Sequence, residues 1–165
     1  MMIRNARTED LDRILDIYAI ARAFMIATGN PNQWAGSYPA REDIEKDILN
    51  GTGFVLEDGG IVRAFFAFII GPEHDYEYGT LVEGDGWLNR EPYGTIHRVA
   101  SDGSTRGVLH HVVSFCKERS ANLRIDTHQD NKVMQHCIKK EGFIPCGLLL
   151  RPDGQYRLAY QQLFQ

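Results

Sequence analysis

The hydrophobic pattern changes period within residues 94–119, and this change constrains the fold most. Residues 95–100 alternate in polarity and are rich in β-branched side chains, which predicts a strand. The polar segment 101–105 contains a glycine and is typical of a tight loop or a helix N-cap. From Arg106 onward the apolar residues recur at helical spacing, namely Val108, Leu109, Val112, Val113 and Cys116. The sequence therefore predicts a strand, a short loop and a helix in succession.

This strand–loop–helix unit is a candidate anion site. The start of a helix leaves main-chain N–H groups free, and the helix dipole favours negative charge there. The unit therefore favours a phosphate or pyrophosphate ligand over a metal ion. Units of this kind are also common in proteins that bind nothing at this position, so the pattern alone leaves both interpretations open.

Length and charge limit the classes of function. A chain of 165 residues suits a single domain, which we predict over 1–165. The net charge of −4 and the pI near 5.8 lack the basic character of general nucleic-acid binding. No apolar run reaches the about 20 residues that span a bilayer, and the amino terminus lacks a secretory apolar region. We therefore expect a cytoplasmic protein with neither nucleic acid nor membrane as a partner.

The cysteines and histidines do not suggest a metal site. Cys116, Cys137 and Cys146 are odd in number, lie among apolar neighbours and lack CxxC spacing, which favours reduced core thiols. His128 and Asp130 are close in sequence, but a turn that contains them needs no ion to explain it. We expect no metal.

The remaining pattern predicts a mixed α/β domain. A strand over 2–6 precedes helices that start near Thr8 and Arg41, and Asp58-Gly59-Gly60 joins two strands as a hairpin. For residues 72–93 we predict an excursion, a segment that runs beside the sheet and contains one helical turn or a short strand. A strand, a helix that ends at Gly142 and a terminal hairpin complete the chain.

Three features together resemble the GCN5-related N-acetyltransferase (GNAT) superfamily. Val99-Ala100 ends a central strand, Arg106-Gly107-Val108 opens the helix, and Asn131 precedes Lys140-Glu141-Gly142-Phe143. The last feature is similar to the family's pattern of Asn, helix and Lys-x-Gly-Phe. The resemblance covers the whole chain. It implies a mixed α/β fold of the α+β type, with a central, mostly antiparallel twisted sheet flanked by helices.

The resemblance also implies a reaction and a binding site. It suggests an N-acetyltransferase that moves an acetyl group from acetyl-CoA to an amine of a small molecule or peptide by direct attack, and a homodimer. It places the acceptor around Trp34, Tyr38, Tyr76 and Trp87. Ten residues are implied in coenzyme binding: Val99, Ala100, Ser101, Ser104, Thr105, Arg106, Gly107, Val108, Leu109 and Asn131.

Three positions depart from the family's pattern. Ser104 stands where Gln or Arg is usual, and Leu109 stands where the pyrophosphate motif has a small residue. A large side chain at that point can hold a pyrophosphate away. Ile138 stands seven residues after Asn131, where many relatives place the tyrosine that protonates the leaving thiolate. The alternative hypothesis is therefore a catalytically impaired acyl-CoA-binding module with a regulatory or interaction role.

The candidate catalytic residues are His97, His128 and Tyr160. His97 lies on the predicted central strand and His128 just past the next strand. Imidazole has an unperturbed pKa of about 6.5, which suits proton transfer near neutrality. A hydrogen-bonded structural role is the alternative for each histidine. Tyr160, on the last predicted strand, is a candidate for the missing acid.

Overall fold

A computed structural model describes residues 1–34, 36 and 38–165. Its elements follow in chain order, with a short 3-10 turn at Thr8–Asp10 before the first helix. They are β1 Met2–Asn5, α1 Leu11–Ala27, α2 Arg41–Leu49, β2 Gly53–Asp58, β3 Ile61–Ile70, α3 His74–Tyr78, β4 Thr80–Glu83, β5 Gly94–Ser101, α4 Val108–Lys117, β6 Asn122–Thr127, α5 Lys132–Lys140, β7 Ile144–Leu150 and β8 Tyr156–Leu163.

The strands form one 8-stranded sheet in the order β1-β2-β3-β5-β6-β8-β7-β4. Neighbouring strands run antiparallel except β5 and β6, which run parallel. The two faces of the sheet carry separate parts of the core. Phe65 and its neighbour Phe66 on β3 belong to different clusters, because successive side chains of a strand point to opposite faces. The predicted mixed α/β fold with a mostly antiparallel sheet flanked by helices is confirmed.

Each face is covered by its own pair of helices. On one face α1 and α2 pack through Ile14, Ile17 and Ile44, all fully buried. On the other face α4 and α5 pack through Val112 and Ile138. This arrangement places the start of α4 beyond the carboxyl end of β5 and the start of α5 beyond the carboxyl end of β6.

The two parallel strands separate after a short contact. β5 and β6 pair only over Gly94–Ile96 and Leu123–Ile125. Just beyond, β5 carries a bulge opposite β3, with Arg98 at φ 53, in the left-handed region. Beyond Ile96, β5 therefore diverges from β6, and a gap forms in the sheet beside Val99.

A buried ion pair holds the bulge of β5. The Arg98 guanidinium donates to the Asp47 carboxylate at 2.9 and 2.7 Å, and the Tyr18 hydroxyl donates to the Arg98 carbonyl. Asp47 is on α2 and Tyr18 on α1. Both helices thus fix a backbone conformation that non-glycine residues rarely adopt.

Three details of the sequence prediction need correction. The excursion over 72–93 contains both α3 and β4, and β4 pairs with β7 at the far edge of the sheet. Helix α4 begins at Val108, after Gly107, because Gly107 has φ 68. The helical spacing of Val133, Met134, Cys137 and Ile138 predicts that all four form the inner face of α5, but Val133 is 46% exposed and does not belong to that face.

Within the described residues, no helix is both long and apolar enough to cross a membrane.

Candidate active site

A cleft of about 690 Å³ lies between α1, the end of β5, the loop over 102–107, and the helices α4 and α5. Eight of the ten predicted coenzyme residues line it: Val99, Ala100, Ser101, Thr105, Gly107, Val108, Leu109 and Asn131. Ser104 and Arg106 are exposed and lie outside the lining. The topology therefore brings the strand end, the loop and α5 to one opening.

The loop before α4 offers free donors to this cleft. The N–H groups of Gly103 and Ser104 donate to Ser101 Oγ and Asp102 Oδ1. No hydrogen bond leads from the N–H groups of 105–107 to any other residue that the structure describes. The Thr105 hydroxyl is buried and likewise has no partner in the described chain. Such unsatisfied donors at a helix start suit an anionic ligand.

Asp102 anchors the loop to the rest of the protein. Its carboxylate lies 2.6 Å from Arg13 and 3.4 Å from Arg63. Burial raises the pKa of Asp102, but hydrogen bonds from Ser104 and Arg63 and the charge of Arg13 outweigh it, so the net pKa is below its ordinary value. The carboxylate stays ionised at neutral pH and keeps the loop in place.

Leu109 does not stand free at the helix start. It is 7% exposed and belongs to the core cluster that also contains Val112 and Val113. Its side chain therefore packs into the core while it lines the cleft. Gly107 is open on its Cβ side, with no heavy atom within 4 Å. At this point of the loop no side chain of Leu109 or Gly107 stands over the main chain.

A second cavity of about 100 Å³ adjoins the cleft. The two share four lining residues: Met25, Val99, Asn131 and Met134. The smaller cavity is also lined by His97, Glu73 and Asp126. The two spaces therefore meet beside Val99, where β5 parts from β6.

His97 and Glu73 face each other in the smaller cavity. His97 Nε2 lies 3.5 Å from Glu73 Oε1, is buried and has no hydrogen-bond partner among the described residues. Glu73 also caps α3, since it accepts the N–H groups of Asp75 and Tyr76 at 2.7 and 3.3 Å. Burial raises the pKa of Glu73, but His97 and these N–H groups outweigh burial, so the net pKa is lowered.

The other two catalytic candidates line neither cavity. His128 Nδ1 accepts the N–H of Asp130 at 3.0 Å, and burial together with the charge of Arg157 lowers the pKa of His128. Tyr160 is 3% exposed in the core beside β6, and burial raises its pKa. Of the three candidates, only His97 lines a cavity.

Asn131 lies in the wall that the two cavities share, and both its amide oxygen and its amide nitrogen form hydrogen bonds. Its Oδ1 accepts the N–H of Met134 at 3.0 Å and caps α5. Its Nδ2 donates to Gln33 Oε1 at 2.9 Å. The residue thereby ties the start of α5 to the segment after α1.

The aromatic residues predicted around the acceptor divide into two pairs. Trp34 and Tyr38 line the smaller cavity. Tyr76 and Trp87 instead pack together beside β7 and β8, and the Tyr76 hydroxyl donates to Asp126. The second pair does not line the cavity, and Tyr76 acts on it through Asp126 and through the ring of His97, whose centroid lies 6.0 Å from that of Tyr76.

Sequence reasoning missed Glu73. It follows the end of β3 and precedes a helix of five residues, so its signal is only that of an acidic residue at a helix start. Among the described residues, no group of three or more His, Cys, Asp or Glu side chains is placed to hold a metal ion.

Comparison with known proteins decides the family. No family model matches the sequence, and no curated protein matches it. Among solved structures, a GNAT-family acetyltransferase from Streptococcus agalactiae 2603 is 35% identical with a TM-score of 0.89, covering 99% of this chain and 95% of that chain. The chain belongs to the GNAT family of acetyltransferases.

More distant structures share the GNAT fold. An N-acetyltransferase from Staphylococcus aureus Mu50 is 23% identical with a TM-score of 0.60, covering 99% of this chain and 98% of that one. A ribosomal-protein-alanine N-acetyltransferase from Brucella melitensis is 19% identical with a TM-score of 0.64, covering 99% and 100%. The resemblance inferred from the sequence is confirmed, and membership in the GNAT family supports acetyl transfer as the general reaction.

Proposed function

We propose that this GNAT protein is an N-acetyltransferase that uses acetyl-CoA and acetylates an amine of a small molecule or peptide. The observation that carries the proposal is the contact between two spaces of different size. The cleft of about 690 Å³ suits a large donor, and the cavity of about 100 Å³ suits a small reactive group. They meet beside Val99, which is the place where donor and acceptor must react.

The residues of the cleft fit a coenzyme with a diphosphate. The free N–H groups of 105–107 and the unpartnered Thr105 hydroxyl would bind the diphosphate oxygens. Ser101, Val108 and Leu109 would flank the bound chain, and the main chain of Val99 and Ala100 would bind the pantetheine arm and the thioester oxygen. When bound, acetyl-CoA supplies the thioester carbonyl and the thiol leaving group.

Ser104, Arg106 and Asn131 would act at the edges of the cleft. Ser104 ties Asp102 into the loop, and its hydroxyl donates to Asp102 Oδ1. Arg106 is exposed beside the loop and would add positive charge near a bound diphosphate. Asn131 would contribute by fixing the wall between the two cavities, since its side chain is already engaged.

His97 is the proposed base. A lysine-like amine has a pKa of about 10.4 and must lose a proton before it attacks. His97 Nε2 is unpartnered in the described chain and lies beside Glu73. The ring accepts the proton from the amine, and the nearby carboxylate stabilises the resulting imidazolium. Glu73 is thus a positioning residue for His97.

The leaving thiolate would depart without a side-chain acid. Ile138, at the usual position of the tyrosine, is fully buried in the core and lines neither cavity. Tyr160 and His128 also lie outside both linings, and we propose structural roles for them. The cleft opens to solvent, where a thiolate is hydrated.

A thiol-release assay with acetyl-CoA and a panel of amines tests the proposal. We expect thiol release that depends on the amine. Thermal unfolding with acetyl-CoA at about 100-fold excess over the dissociation constant should add roughly 2.7 kcal/mol of stability. Stabilisation by the coenzyme without release from any amine would support the alternative, an acyl-CoA-binding module with a regulatory or interaction role. The absence of both effects would reject transferase and module alike.

Other inferences from the sequence stay predictions. They are a single domain over 1–165, a homodimer, a cytoplasmic location and the absence of a nucleic-acid partner. The three cysteines are free thiols, as is usual for proteins of the reducing cytoplasm that the sequence predicts. Light scattering coupled to size-exclusion chromatography measures the oligomeric state, and a monomeric mass at micromolar concentration would contradict the homodimer.

A further inference from the structure

The smaller cavity contains an arginine that forms no ion pair within the part of the chain that the structure describes. Two other arginines that line it are paired: Arg98 with Asp47, and Arg151 with Asp75 and Asp153. Arg157 on β8 also lines the cavity and is 4% exposed. Among the described residues, no carboxylate oxygen lies within 4.0 Å of its guanidinium nitrogens.

Neutral oxygens satisfy only part of the Arg157 guanidinium. It donates to the carbonyls of Tyr156 and Gln33 at 2.9 and 3.1 Å, and to Gln155 Oε1 at 3.2 Å. A guanidinium has five N–H donors in a planar fork, so about two donate to no acceptor among the residues that the structure describes. Burial and then the charge of Arg151 lower the pKa of Arg157. The charge of Asp126 opposes this lowering, but no described carboxylate contacts the guanidinium, and a buried charge without such a contact is unfavourable unless a ligand supplies it.

The rest of the lining supplies the complementary chemistry. Glu73 and the free His97 Nε2 face the same cavity, and Asp126 also lines it. The Asp126 carboxylate is already bound by the Tyr76 hydroxyl. The cavity therefore combines one unpaired cation with acidic and basic groups that suit an amine. Its volume of about 100 Å³ admits only a compact group.

We propose that the acceptor is a small amine that also carries a carboxylate, of the α-amino-acid type, with the carboxylate bound at Arg157 and the amine turned toward His97. This inference rests on the proposed function and names its substrate class. A planar fork binds a carboxylate with two parallel hydrogen bonds, which an amide or an unsubstituted amine cannot reproduce.

Matched substrates test the inference. Thiol release is measured with a panel of α-amino acids, with the corresponding amino-acid amides, and with the amines that lack the carboxyl group. We expect kcat/KM for at least one amino acid to exceed that of its amide by about tenfold or more. Arg157→Gln should abolish this preference by lowering only the rate with the amino acid. Arg157→Lys should retain part of it, and Arg41→Gln, at an exposed arginine, should leave the preference unchanged.

Binding measured without turnover keeps the inference independent of catalysis. Calorimetry with CoA present compares N-acetyl amino acids with their amides, and circular dichroism checks that Arg157→Gln is folded. Turnover of amines without any preference for a carboxylate would overturn the inference and leave the proposed function standing. Binding of the acid through Arg157 without turnover of any amine would support the site and reject the transferase. If neither acid nor amide binds and no amine reacts, both proposals fail.

Discussion

A double-mutant cycle tests the proposal that His97 and Glu73 act as a pair. His97→Gln should lower kcat/KM by about a hundredfold, because the base is lost. Glu73→Gln should lower kcat/KM less. The amide oxygen of the new side chain can replace Glu73 Oε2 as the acceptor for the N–H groups of Asp75 and Tyr76, so the cap of α3 is kept. In the His97→Gln background the second change should have almost no further effect, because Glu73 acts through His97. Additive losses would show that the two residues act separately.

His128 should make stability depend on pH. Its pKa is lowered in the folded state, first by burial, from a value of 6.5. The folded protein therefore binds fewer protons than the unfolded chain. The stability that neutral His128 contributes is fully present above pH 6.5 and is lost as the pH falls through the lowered pKa of the folded state. His128→Asn removes the titration while Asn Oδ1 can accept the N–H of Asp130.

The measurement is the melting temperature at pH 7.5 and 5.5 for both proteins. The wild type should lose more stability on acidification than His128→Asn. Asp10 and Asp102, whose pKa values are also lowered, titrate equally in both proteins and cancel in the comparison. An equal loss in the two proteins would show that His128 does not contribute.

At the scale of elements, the bulge of β5 depends on the ion pair between Arg98 and Asp47. Asp47→Asn leaves the Arg98 guanidinium without its charged partner, which should lower the free energy of unfolding by about 3 kcal/mol. It should also lower kcat/KM, because Val99 follows the bulge directly. Urea unfolding measures the first effect. Glu45→Gln, in an exposed pair with Arg41, is the control and should change stability by less than about 1 kcal/mol. Similar losses in the two variants would contradict this role.

The loop before α4 can be tested with two glycines in the same backbone region. Gly107 and Gly154 have φ 68 and φ 84, and a Cβ at either would meet no atom within 4 Å. An alanine at each position should therefore cost about 1–2 kcal/mol through backbone strain alone. Only Gly107→Ala should also weaken coenzyme binding, because it reorients the N–H groups of the loop. Calorimetry with CoA should show weaker binding for this variant and wild-type binding for Gly154→Ala. Equal affinities would argue against the loop as the diphosphate site.

For the whole molecule, local patterns predicted most elements but not their long-range partners. The strand, loop and helix over 94–119 are contiguous, so seven of the ten predicted coenzyme residues could be placed at one cleft before the fold was known. The eighth residue of the cleft, Asn131, comes from the start of α5. Glu73 precedes α3 and Arg157 lies on β8, and only packing brings them to the same cavity as His97. The pairing of β4 with β7 likewise depends on the assembled sheet. The exact start of α4 could not be predicted, because the left-handed backbone of Gly107 leaves no trace in the spacing of the hydrophobic residues.

In the proposed reaction, the cleft beside Val99 holds the coenzyme and directs its thioester toward the smaller cavity. A crystal structure with CoA bound tests it most directly. We expect the diphosphate against the N–H groups of 105–107 and the Thr105 hydroxyl, and the sulfur beside Val99 within reach of the cavity that His97 lines. A CoA molecule bound elsewhere, or a sulfur directed away from His97, would contradict the claim.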